Sequence, residues 1–91
     1  MEFLNSFDKN KRYVFDKDIY IEYMLNLDDY DGNDKAEEYW INACNNKFVK
    51  VENSQNGFIS TNNKTIIGDY RIIPQWCREV PSIRLLQADE L

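Results

Sequence analysis

The alternation of apolar and polar positions divides the chain into a helical part and a β part. Behind a charged start that includes Phe3 and Leu4, Tyr13-Val14-Phe15 is a short β-prone run. Ile19, Tyr20, Tyr23, Met24 and Leu27 then recur at the i, i+1, i+4, i+5, i+8 spacing of one buried helical stripe. Asp16 can cap this helix through its side-chain oxygen, while Asp16, Asp18, Glu22 and Asn26 take much of the other side. Asp28 to Asn33 is a polar loop. Asp34 opens a second helix, with Glu37 three residues on as a capping-box partner. Ala36, Tyr39, Trp40, Ala43 and Cys44 form its apolar stripe. Asn45-Asn46 can close it, because Asn tolerates the left-handed conformation that ends helices.

Beyond Asn46 the period shortens. Lys47 to Glu52 alternates like a strand, Asn53 to Gly57 is turn-rich, and Asn56-Gly57 is a hairpin signal. Phe58-Ile59-Ser60, Thr65-Ile66-Ile67 and Tyr70 to Ile73 read as further strands, with a turn at Asn62-Asn63-Lys64 and a break at Gly68-Asp69. Pro74 to Cys77 reads as one helical turn, Ser82 to Leu86 as the last strand, and Gln87 to Leu91 as a frayed end. The expected fold is α+β in a single domain, residues 1–91. Two amphipathic helices (16–46) precede a small antiparallel sheet or SH3-like barrel (47–86). The barrel reading rests on short strands, tight turns and the helical turn before the last strand.

Composition narrows the chemistry. Ninety-one residues hold one core, with a stability of roughly 3–8 kcal/mol. No run reaches the roughly 18 apolar residues of a membrane span. Met1 to Asn5 lacks the basic start and apolar run of a secretory signal, so the chain reads as cytoplasmic. Cys44 and Cys77 then read as buried thiols rather than a disulfide. There is no histidine, no close cysteine pair and no Gly-rich phosphate loop, which argues against a metal, a cofactor and catalysis. The acids around Gly32 resemble a calcium loop only superficially. The twelfth position counted from Asp28 is Tyr39, and from Asp29 it is Trp40, where a glutamate is required.

Charge adds the sharpest feature. The formal net charge is −5, yet residues 16–38 set nine acids against Lys17 and Lys35, a local −7. Solvated helix faces and the preference of acids for helix N-termini account for part of this excess. An acidic face built for a basic protein surface, such as the nucleic-acid groove of another protein, accounts for it as well. Direct nucleic-acid binding is disfavoured, because Lys47, Lys50, Lys64, Arg71, Arg78 and Arg84 are dispersed along the chain. Candidate partner-binding residues are Asp18, Glu22, Asp28, Asp29, Tyr30, Asp31 and Glu38. Tyr30 stands among carboxylates with no apolar neighbour, which suits either a contact anchor or a side chain folded back onto a helix. Trp40 and Trp76 read as core, and the polar hairpin Asn53 to Asn56 as a second loop contact.

Three segments carry a resemblance: Tyr13-Val14-Phe15-Asp16, Tyr39 to Lys47, and Gly68 to Cys77. Across residues 13–80 the chain resembles small phage and prophage proteins of low-GC Gram-positive bacteria, through a Trp, Cys and Gly packing signature. The resemblance implies a similar fold and a mobile-element setting. The leading expectation is a phage-encoded inhibitor of a bacterial defence protein, of the anti-CRISPR or anti-restriction sort. Its partner would be a protein with a basic surface, a CRISPR effector or another nuclease. The rivals are an immunity protein or antitoxin against a basic nuclease toxin, and an SH3-like adaptor that binds a peptide or forms a homodimer.

Overall fold

The computed structural model describes residues 2–27, 30–32, 34–62 and 67–81. Strand β1 (Arg12–Phe15) leads, followed by helices α1 (Lys17–Leu25) and α2 (Lys35–Cys44). Strands β2 (Lys50–Val51), β3 (Gly57–Asn62) and β4 (Ile67–Ile72) come next, then a 3-10 turn at Pro74–Trp76 and β5 (Cys77–Val80). The architecture is α+β. β2, β3 and β4 form one antiparallel sheet, and β1 pairs with β5 in another. A bridge between Val14 and Phe48 links the two, giving the running order β5-β1-β2-β3-β4. The helical turn that supports the SH3-like reading stands directly before β5.

The helices are therefore inserted between the first two strands instead of preceding the sheet. β1 is its centre. Phe15 pairs with Cys77 on one side. On the other, the Phe15 N–H donates to the Lys47 carbonyl (3.1 Å) and the Val49 N–H donates to Tyr13 (2.9 Å). Short central strands of this kind are held by tertiary packing more than by intrinsic propensity.

Local chemistry explains the helix ends. One Asp16 carboxylate oxygen, Oδ1, accepts from the Asp18 and Ile19 amides at 2.9 and 3.2 Å, the expected cap. The other, Oδ2, accepts from Arg78 Nε at 3.1 Å, and Arg78 Nη2 continues to Asn46 Oδ1 at 3.1 Å. Asn46 takes the left-handed conformation (φ 64°) that closes α2. Asp34 caps α2 through the Ala36 amide at 2.9 Å.

Several strands and stripes depart from the sequence reading. The buried face of α2 is Trp40, Ile41 and Cys44, and Tyr39 is 55% exposed, so the stripe is turned by about one position. On α1 Tyr20 is buried but Leu27, just past the helix end, is exposed. The two strands expected on either side of Gly68-Asp69 are one strand, β4, which runs through Gly68 at φ 139°. Such a backbone is open to glycine at little cost, so the residue permits extension here where the sequence suggests a break. The last strand begins at Cys77; the one expected at Ser82 to Leu86 lies outside the described residues, as does Thr65-Ile66.

The core forms where helices, strands and the 3-10 turn converge. Phe7, Tyr13, Phe15, Tyr20, Ile41, Cys44, Ile59, Ile72 and Cys77 are buried there. Phe15 is ringed by Tyr20 (5.6 Å between centroids), Trp40 (5.5 Å) and Trp76 (6.3 Å). Trp40 also stacks on Tyr70 of β4 (5.7 Å, 6°). Both tryptophans are thus packed as expected. Tilted and edge-on pairs suit the ring quadrupoles and add roughly 0.5–1.5 kcal/mol each beyond area burial.

Candidate functional site

The acidic segment folds into an open cleft of about 390 Å³ between α1 and α2. Ile21 and Ile41 contribute its apolar lining; Tyr30, Asp34, Glu37 and Glu38 line it together with Lys17 and Lys35. Glu37 organises it. Its Oε1 accepts from the Tyr30 hydroxyl at 2.7 Å, and its Oε2 accepts from the Tyr20 hydroxyl. Glu37 therefore joins α1, α2 and the loop between them, instead of completing the capping box expected from the sequence. Burial, then the hydrogen bond to this carboxylate and its charge, push the Tyr30 hydroxyl up to about 12 and that of Tyr20 higher still. Both phenols stay protonated donors at neutral pH, so the joint persists.

The remaining candidates are distributed around this cleft. Tyr30 is half-buried, with its ring against Gly32 and its hydroxyl on Glu37. Asp31 is exposed beside it, and Glu38 is exposed on α2 at the cleft. Asp18 and Glu22 are exposed on α1 but do not line the cleft; they extend the acidic surface along that helix. Asp28 and Asp29 lie outside the described residues. The hairpin Asn53 to Asn56 is a self-bonded turn, in which Asn53 Oδ1 accepts from the Gln55 and Asn56 amides at 2.9 Å each.

A second cleft, of about 570 Å³, was not anticipated from the dispersal of the later bases. Lys9, Lys11 and Arg12 meet Tyr13, Phe48, Val49 and Val51 there, and it shares no lining residue with the acidic cleft. Phe48 is 56% exposed, and the Arg12 guanidinium sits 5.4 Å from its ring centroid. Two sequence signals point to it: three bases within Lys9 to Arg12, and a strand period that sets Phe48 on the face opposite Val49 and Val51. The molecule thus carries acids on the helical pair and a group of bases, Lys9, Lys11 and Arg12, at this second cleft, where Lys11 pairs with Glu79 at 3.6 Å.

Cys44 and Cys77 are free and buried. Burial pushes the Cys44 thiol up to about 11, against a small opposing pull from Lys47, and Cys77 up to about 12, with Asp16 adding to the shift. In the unfolded chain thiols titrate near pH 8.5 to 9, so above that range the unfolded state binds fewer protons than the native state. Stability must then fall as pH rises, by up to about 1.4 kcal/mol per pH unit for each thiol, until the folded values are passed. Urea midpoints at pH 8 and 10.5 are expected to show this loss. Cys77→Ala is expected to flatten the alkaline slope; an unaltered slope would remove Cys77 as a cause.

No protein-family model, curated protein or solved structure matches the chain. No helix among the described residues is long and apolar enough to cross a membrane.

Proposed function

We propose that the chain is a non-catalytic binding protein that blocks a basic, nucleic-acid-binding surface of a nuclease with its acidic helical face. The observation that carries this reading is the arrangement of α1 and α2. They are tied through Glu37, and around that joint stand the exposed Asp18, Glu22, Asp31 and Glu38. Carboxylates carried on two helices that are already tied together can meet a basic groove without a further cost of ordering the pair, which favours affinity, while their charge favours encounter. A phage-encoded inhibitor of a CRISPR effector or restriction enzyme uses such a face, and so does an immunity protein against a basic nuclease toxin. The target distinguishes them.

The test is inhibition of DNA cleavage by purified enzymes from all three classes. The protein is expected to inhibit one class at stoichiometric concentration, and less effectively as salt rises. Reversing Asp18, Glu22 and Glu38 together to Lys should raise the concentration needed by about 100-fold at low salt, at roughly 1 kcal/mol per reversed surface charge. Inhibition that ignores both salt and the reversal would overturn the electrostatic reading, and failure to inhibit any enzyme would overturn the function.

A further inference from the structure

We infer that the edge of β4 turned away from β3 is a two-fold interface through which two copies of this chain join their sheets. β4 ends the three-stranded sheet, with β3 on one side and no strand on the other among the described residues. It is six residues long, and Ile73 continues its extended backbone (φ −105°, ψ 157°). An edge of this length presents a row of outward N–H and C=O groups able to template another strand.

The side chains select the occupant. Burial alternates along β4, so Ile67, Asp69 and Arg71 share its exposed face, with Ile73 continuing their parity. Ile67 is 71% exposed, an unusual choice for a solvent-facing edge. If two copies pair antiparallel about an axis at Tyr70, Asp69 of each lies opposite Arg71 of the other. The same register sets Ile67 of each opposite Ile73 of the other. The outer face is then complementary to itself at every position, with two opposite-charge pairs flanked by two apolar pairs. A two-fold interface requires this self-complementarity of a single surface patch. On the opposite face Tyr70 is fixed by its stack on Trp40, so the strand is held in shape before a partner arrives. Shifting the axis by one residue destroys the match, since Asp69 would then face Asp69 or Ile73.

Sedimentation of the purified chain from about 1 µM to about 1 mM tests the interface. The natural protein is expected to pass from monomer to dimer within this range. Asp69→Arg and Arg71→Asp each place like charges opposite one another twice, and each should weaken the dimer by at least about 30-fold. Asp69 also accepts a hydrogen bond from Ser60 Oγ at 2.6 Å, so the first variant alone could act through the monomer. The double variant Asp69→Arg/Arg71→Asp loses that bond too, yet restores complementarity and is expected to dimerise again. Mixing the two single variants should give a 1:1 heterodimer, since one edge then carries two Arg and the other two Asp. A natural chain that stays monomeric up to 1 mM, single variants that dimerise like it, or a double variant and a mixture that both stay monomeric would overturn the interface. In the first of those cases the charges at positions 69 and 71 guard the edge against pairing.

Discussion

Phe15→Ala is expected to lower stability by about 3–5 kcal/mol, most or all of what a domain of this size possesses. Phe15 has 0% exposure and its ring meets Tyr20, Trp40 and Trp76, one side chain from each helix and one from the 3-10 turn. Its removal leaves a cavity that those neighbours cannot easily fill, because each is fixed by further contacts: Tyr20 by Glu37, Trp40 by its stack on Tyr70. The backbone of Phe15 meanwhile bonds to Asn46 and Lys47, just past the end of α2, so loosening β1 loosens the helical pair as well. Urea denaturation followed by near-UV and far-UV circular dichroism should show a chain largely unfolded without denaturant. Tyr39→Ala, at an exposed position on the same helical layer, is expected to change stability by less than about 0.5 kcal/mol. Equal effects of the two substitutions would contradict the assignment of Phe15 to the centre of the core.

Gly57→Ala should cost about 3 kcal/mol, for a reason unrelated to glycine's conformational freedom. A Cβ at this position would lie 2.5 Å from Val49 Cγ1 and 2.8 Å from the Lys50 carbonyl oxygen. Val49 is itself buried, and the carbonyl belongs to the strand paired with Gly57, so neither can retreat without distorting the β2–β3 ladder. The expected signature is a lower urea midpoint together with faster amide exchange at Glu52 and Asn53, whose N–H groups donate to Asn56. A midpoint within measurement error of the natural protein would show that the hairpin accommodates the methyl group.

These two positions also show what the sequence reveals and what it conceals. Asn56-Gly57 reads as a hairpin turn, and a hairpin is present, but the turn spans Glu52 to Asn56 and Gly57 opens the next strand. The letter is the same whether glycine supplies a positive φ, as at Gly68, or merely vacates space. Features set by neighbours in the chain were legible: the caps at Asp16 and Asp34, the left-handed Asn46, and the helical turn at Pro74. Features set by distant partners were not. The pairing of β1 with β5, reinforced by Arg78 on Asp16 across 62 residues, has no local signature and moves both helices inside the sheet order. The acidic site divides the same way. Its charge is plain in residues 16–38, whereas the double claim of Tyr20 and Tyr30 on Glu37 depends on how two helices cross.

The helical pair leaves the sheet after Phe15 and re-enters it at Asn46, and the Asn46 N–H donates back to the Phe15 carbonyl at 2.8 Å. Departure and return are therefore closed at a single point. Closing such an excursion fixes most of its entropic cost irrespective of its exact length, because that cost grows only slowly with the number of residues enclosed. Residues 17–45 can thus vary in length and surface charge without altering the register of β1 against β2 or β5, provided that the inward side chains at 20, 40, 41 and 44 are kept. Such a scaffold can change its recognition face rapidly under selection while the sheet beneath it stays the same.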